Sequence, residues 1–214
     1  MQDTYPGATN HCRNLLVCGG MPRSATTFMH RYLARYSNCH KTFVKESYLF
    51  HRSRPFVDLK LKTLRKDKLY LDFTPTYIFD LRAVDAIYDR GISCFFILRE
   101  FDDWRRSLSA YQSVNGLNCS RYLANVTRKD FESRVEYVKR RFLTVDVNEV
   151  TDNTEGVVSL LQSEFKVDLG RPLSSVPEKI NGSRTRSHRT GIVFGVNNFP
   201  RTLELCSSAL FGLL

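Results

Sequence analysis

The chain has 214 residues and carries 32 Lys+Arg against 22 Asp+Glu, a formal net charge of +10. With 42% hydrophobic and 25% charged residues it has the composition of a soluble globular domain, long enough for one good hydrophobic core. The absence of any run of about eighteen apolar residues excludes a membrane-spanning helix. The opening "MQDTYPGATNHC" has neither the basic nor the apolar region of a signal peptide, so a cytoplasmic location is expected.

The excess of positive charge points to an anionic partner: nucleic acid, an acidic polymer, lipid headgroups or a multiply charged small molecule. Cys12, Cys18, Cys39, Cys94, Cys119 and Cys206 show no C-x-x-C spacing, so neither a zinc site nor a disulfide framework is expected. Cys18 and Cys94 fall inside apolar runs, where a reduced, buried thiol is the usual state. The N-x-[ST] triplets at Asn118, Asn125 and Asn181 carry no weight without a secretory signal.

In chain order, "NLLVC" (Asn14 to Cys18) reads as a strand and runs into "GGMPRSATT" (Gly19 to Thr27). A helix is expected over Thr26 to Tyr36, opened by Thr/Ser capping chemistry. "KTFV" (Lys41 to Val44) reads as a second strand, leading into Lys45 and Glu46. "KLKTLRKDK" (Lys60 to Lys68) reads as a solvated basic helix face. "KLYLDF" (Lys68 to Phe73) is a third strand, ahead of Thr74 and Pro75. The pattern predicts a helix over Leu81 to Tyr88, with Gly91 as its stop, then "ISCFFIL" (Ile92 to Leu98), apolar throughout as a strand buried on both faces should be. Further helices are expected over Asp102 to Tyr111, with two Asp at the favoured end of the macrodipole, Phe131 to Phe142 and Thr154 to Phe165.

Strand–helix alternation predicts an α/β domain with a mostly parallel sheet, occupying residues 1 to 214 as a single domain. Ligands of such sheets bind beyond the carboxyl ends of the strands, and the chemically loaded residues all lie there. Between Gly19 and Thr27 the chain resembles a phosphate-binding loop, G-x-x-x-x-G-K-[ST], without its lysine: counting from Gly20, Ala25 holds the place of the second glycine and Thr26 that of the lysine. A tight turn feeding a helix presents N–H groups and the positive dipole end to an anion, and Ser24, Thr26 and Thr27 add hydroxyls. Without the lysine and its magnesium a triphosphate grip is poorly supported, and a monophosphate-like group fits better. Arg99 at a strand end and Ser107 in the next helix are placed to converge on a second anion.

"PRSATTFM" resembles the P-[KR]-S-G-T-T-x-[LWF] loop of the sulfotransferases that use 3′-phosphoadenosine 5′-phosphosulfate (PAPS). Arg99 with Ser107 resembles that family's 3′-phosphate motif, and "VKESYLFH" its K-E-x-x-[FY]-F segment, found in the glycosaminoglycan or carbohydrate-type branch. "LDFTPTYIF" is similar to E-K-[ST]-P-x-Y at Thr74, Pro75 and Tyr77, but Phe73 replaces the lysine. The resemblance implies a P-loop-NTPase-like three-layer α/β domain that moves a sulfuryl group from PAPS to the hydroxyl of a small-molecule or carbohydrate acceptor, releasing 3′-phosphoadenosine 5′-phosphate (PAP). It implies that Arg23, Ser24, Ala25, Thr26 and Thr27 cradle the 5′-phosphosulfate, with Arg23 also neutralising charge on the bridging oxygen. Arg99 and Ser107 would hold the 3′-phosphate, and Glu46 would be the general base. The late basic loop "NGSRTRSHRTG" would close over the donor through Ser183, Arg184, Arg186 and Arg189. No metal, nucleic acid or membrane is implied, and oligomeric state is open.

Two other readings compete. A P-loop kinase using ATP and magnesium lacks the lysine and has only Asp72 as an acidic metal ligand after a strand. A basic nucleic-acid-binding module would interleave aromatic and basic residues on an exposed patch, whereas the aromatics here fall mostly in expected cores. His40 and His51 flank the Glu46 segment and read as structural or surface residues.

Overall fold

The structure is a computed structural model that describes residues 14–40, 45–115 and 121–173, except the side chains of 114, 115, 121 and 122. Among these residues five strands, β1 (Leu15–Cys18), β2 (Cys39–His40), β3 (Leu69–Phe73), β4 (Ser93–Leu98) and β5 (Leu143–Asp146), form one sheet in the order β2-β3-β1-β4-β5. Every neighbouring pair is parallel, with Leu15 opposite Tyr70, Leu16 opposite Ser93 and Phe95 opposite Leu143. Among the described residues eight α-helices accompany it: α1 (Thr26–Leu33), α2 (Arg54–Lys62), α3 (Leu81–Tyr88), α4 (Phe101–Asn115), α5 (Arg121–Ala124), α6 (Arg128–Lys139), α7 (Val147–Asp152) and α8 (Thr154–Phe165).

Successive side chains of a strand point to opposite faces, and here both faces are covered. Leu15, Val17, Cys94, Phe96 and Leu98 pack under α2, α3, α4 and α6, where Trp104, Ile87, Phe131 and Val138 are buried. Leu16, Cys18, Phe73, Phe95 and Ile97 pack against α1, α7 and α8 through Met29, Tyr32, Val150 and Leu161. The result is three layers. Burial is worth about 1.5–3 kcal/mol for each large side chain, so the continuous apolar run of β4 stabilises both layers at once.

Helix ends follow local chemistry. α3 and α8 run over the expected residues because Asp80 accepts from the Arg82 amide, Asn153 accepts from the Gly156 amide, and Gly91 takes the left-handed φ of 58° just past α3. α6 starts three residues before the expected Phe131, since Thr127 caps it by accepting from the Asp130 amide. α1 stops at Leu33 instead of Tyr36, where Tyr36 leaves to form an isolated bridge with Pro172. The basic stretch from Lys60 is helical only through Lys62 and then turns away at Thr63. β5, α2 and α7 were not anticipated from sequence. β5 is a half-buried edge strand without the apolar run that marks β4. The second strand is Cys39–His40, and the expected "KTFV" lies outside the described residues.

Because β1 lies between β3 and β4, the chain leaves it in one direction for β2 and later crosses to β4. Its carboxyl end is therefore the topological switch point, where this class of sheet opens a crevice. Among the described residues no helix is long and apolar enough to cross a membrane.

Candidate functional site

The segment after β1 first stays on the sheet: the Gly19 amide donates to Phe95 O at 3.0 Å and the Met21 amide to Ile97 O at 2.8 Å. Both glycines are there for close approach, because a Cβ on Gly19 would lie 2.6 Å from the Phe96 ring and one on Gly20 2.8 Å from it. The chain then turns tightly, the Ser24 amide donating to Met21 O, with Arg23 at φ 67° and Ala25 at φ 55°. The left-handed region disfavours an L side chain by roughly 1–2 kcal/mol, which explains the glycine of the related motif at the Ala25 position. Two substitutions are expected to move stability in opposite directions. Ala25→Gly should leave it unchanged or raise it by up to about 1 kcal/mol. Gly19→Ala should lower it by about 1–3 kcal/mol by crowding Phe96. Urea unfolding midpoints of the two variants check both.

Ala25 is the N-cap of α1 and has no side chain to accept a hydrogen bond, so the first-turn amides of Thr26, Thr27 and Phe28 have no partner within the helix. Thr26 is buried and Thr27 exposed at that end. Ser24 is fully buried with its hydroxyl unpartnered, and the Nε atoms of Arg23 and Arg99 are buried and unpartnered as well. Each such group costs about 1–3 kcal/mol when unsatisfied. Their convergence on one turn, with the helix dipole behind them, fits a phosphate-like anion.

Tertiary contacts bring the second motif to the same place. Arg99, just after β4, donates from Nη1 to Arg23 O at 2.8 Å. On α4, Trp104 Nε1 donates to Pro22 O at 3.1 Å, and the Arg23 guanidinium carbon lies 4.4 Å from the centroid of the Tyr111 ring. Ser107 falls between those two on the same helical stripe, three residues after Trp104 and four before Tyr111. The loop, Arg99 and α4 thus meet, with Arg23 resting on an aromatic face. Tyr111, one helical turn beyond Ser107, is part of the sequence motif; Trp104 was not picked out from sequence, although its i−3 spacing from Ser107 marks it.

Glu46 lies in a half-buried segment. Its Oε1 is paired with Lys45 Nζ at 3.0 Å, and its Oε2 accepts from the Tyr48 hydroxyl at 2.8 Å. The Tyr48 amide donates to Thr74 Oγ1, and the Thr74 hydroxyl in turn donates at 2.7 Å to Oδ1 of the buried Asp72 carboxyl, whose Oδ2 accepts from the Tyr77 hydroxyl at 2.8 Å. Burial pushes the Asp72 carboxyl up, against the opposing pull of its hydroxyl donors. The turn that follows touches the loop, the Ile78 amide donating to Gly19 O at 2.9 Å. Phe73 points the other way, into the apolar layer, edge-on to Phe95 and to His30 of α1.

Burial, helped by the charges of Lys45 and Arg31, lowers His30 from 6.5 to about 4. The folded state therefore holds fewer protons than the unfolded chain between those values, so this contribution is complete above pH 6.5 and is lost as pH falls towards 4. His30→Gln should flatten the decline in stability between pH 6.5 and 5, where most carboxylates stay ionised; chemical denaturation across that range measures it.

His40 stacks on Tyr70 and His51 pairs with Asp80 at 2.9 Å, both structural roles. Cys18, Cys39 and Cys94 are free, buried thiols. Ser183, Arg184, Arg186 and Arg189 lie outside the described residues. Among the described residues no three His, Cys, Asp or Glu side chains cluster as a metal site would require.

No family model matches the sequence, and no curated protein matches it. Among solved structures, a sulfotransferase from Alicyclobacillus acidocaldarius superposes with a TM-score of 0.55 at 14% identity, over 74% of this chain and 83% of that one. The sulfotransferase domain of the Synechococcus PCC 7002 olefin synthase superposes with a TM-score of 0.53 at 13% identity, over 100% of both chains. At such identities the likeness establishes architecture: this chain has the P-loop-like α/β fold that these sulfotransferases share.

Proposed function

We propose that the protein is a sulfotransferase that takes its sulfuryl group from PAPS and passes it to a hydroxyl acceptor, a carbohydrate being one class that fits. The observation that carries this reading is the convergence of unpartnered donors, Ser24 Oγ, the first-turn amides of α1 and Arg99 Nε, on a loop that has the phosphate-binding turn but no lysine for a triphosphate. The shared fold of solved sulfotransferases supports it.

In this reading Ser24, Thr26, Thr27 and the α1 amides hold the 5′-phosphate, while Arg99 and Ser107 hold the 3′-phosphate. The acceptor oxygen attacks sulfur in line. The bond from sulfur to the bridging phosphate oxygen breaks, PAP departs with that electron pair, and Glu46 takes the acceptor proton. Arg23 leaves Tyr111 to neutralise the bridging oxygen. Most of the acceleration is positional and electrostatic, since fixed donors face charge that builds only during transfer.

Calorimetric titration with PAP and with ATP–magnesium tests the proposal. Micromolar binding of PAP with no response to ATP–magnesium is expected. Tight ATP–magnesium binding that ignores the 3′-phosphate would sink it and promote a kinase.

A further inference from the structure

The buried carboxyl of Asp72 takes no part in the transfer proposed above, yet it lies where that transfer is organised. Asp72 is the next-to-last residue of β3, fully buried, on the face opposite to Phe73. Among the described residues no cation forms an ion pair with it; its hydrogen-bond partners are the hydroxyls of Thr74 and Tyr77. A buried carboxylate held by neutral donors is a costly choice for a strand position that Val or Leu would fill.

What the carboxylate does is polarise those hydroxyls. It can only accept, so each hydroxyl proton is committed to it and each hydroxyl oxygen is left free to accept in turn. The Tyr48 amide donates to Thr74 Oγ1 at 3.2 Å, the Phe50 amide to the Tyr77 hydroxyl at 3.1 Å, and the Leu49 amide to Ser47 Oγ at 3.2 Å. The Tyr48 and Phe50 amides are thus held, one hydroxyl removed, by one carboxylate, and the Leu49 amide between them is tied within the segment. The middle of this segment is strained: Tyr48 has φ 52°, a region that disfavours an aromatic residue, and its phenol is the group that bonds Glu46. Six residues past Asp72, the Ile78 amide is bonded to the phosphate-type loop at Gly19.

We propose that Asp72 is the positioning residue for Glu46: through Thr74 and Tyr77 it imposes the strained 47–50 backbone and so sets the Glu46 carboxylate relative to the donor loop. The proposal rests on the sulfotransferase reading for its consequence in catalysis, but not for its structural half.

Asp72→Ala, Asp72→Asn and Thr74→Val are compared with the wild type in three measurements: PAP affinity, hydrogen exchange at the Tyr48 and Phe50 amides, and sulfate release from PAPS with water as acceptor. PAP affinity should stay within about threefold of wild type throughout. Exchange at both amides should rise at least about tenfold in Asp72→Ala, and kcat for sulfate release should fall roughly 10–100-fold with KM for PAPS unchanged. Asp72→Asn, which keeps the shape and an acceptor oxygen, should restore most of both. Thr74→Val should speed exchange at Tyr48 and leave Phe50 protected, and it decides the structural half if Asp72→Ala does not fold. Unchanged exchange at both amides in Asp72→Ala and at Tyr48 in Thr74→Val overturns the proposal. So does an Asp72→Asn variant with normal exchange but a kcat as low as that of Asp72→Ala, which would make the charge itself a participant. A wild type that fails to bind PAP defeats the sulfotransferase reading instead, and the exchange pattern still judges the role of Asp72.

Discussion

Arg99→Ala should weaken PAP binding by about a hundredfold or more, the largest binding effect of any single substitution in this chain. Two losses combine. Charge-assisted hydrogen bonds to a phosphate contribute about 1.5–3 kcal/mol each, and a guanidinium commonly makes two. Arg99 also holds the Arg23 carbonyl at 2.8 Å, so its removal loosens the loop that would receive the 5′-phosphate. The contributions separate with a second ligand. Adenosine 5′-monophosphate lacks the 3′-phosphate, so its affinity reports on the loop alone. A loss confined to PAP assigns Arg99 to the 3′-phosphate; an equal loss for both ligands makes it a loop brace and takes the 3′-phosphate role away from it.

The second large effect is on rate. Glu46→Gln should lower kcat for transfer by about 10²–10⁴-fold, the range that a positioned general base supplies, and leave PAP affinity within about threefold. Glutamine has the same shape and still accepts from the Tyr48 hydroxyl that bonds Oε2 in the wild type, so the segment should keep its form. What disappears is the basic oxygen and the charge that Lys45 pairs with at 3.0 Å. Single-turnover sulfate release from PAPS, with water or an acceptor found by screening, measures the change. A variant as fast as wild type would strip Glu46 of the base role and leave it as the partner that holds Lys45. The two experiments are orthogonal: Arg99→Ala should move binding, and Glu46→Gln should move chemistry.

The parts of the site differ in how far they could be read from residues alone. Ser24, Thr26, Thr27 and Arg99 stood out because a turn entering a helix and a strand ending in arginine are local patterns. Tyr48 and Trp104 did not, nor did the bond from Arg99 to the loop. Their roles depend on bonds between residues far apart in sequence: Tyr48 to Thr74 across 26 positions, Arg99 to Arg23 across 76, Trp104 to Pro22 across 82. Asp72 looked like a weak metal ligand, and it lies instead among hydroxyls that hold Glu46's own segment.

By itself the sequence determined the layered α/β plan, the parallel sheet and the bounds of α3 and α8. Those follow from hydrophobic period, capping residues and glycine placement, which act over a few neighbouring positions. It could not specify the weak edge strand β5, whose half-buried residues lack a period, nor the strand order that puts β1 between β3 and β4. That order is the decision of the tertiary structure. It brings Arg99, α4 and the Thr74–Ile78 turn against one loop, because side chains pack and hydrogen-bond with whatever the sheet sets beside them, regardless of distance along the chain.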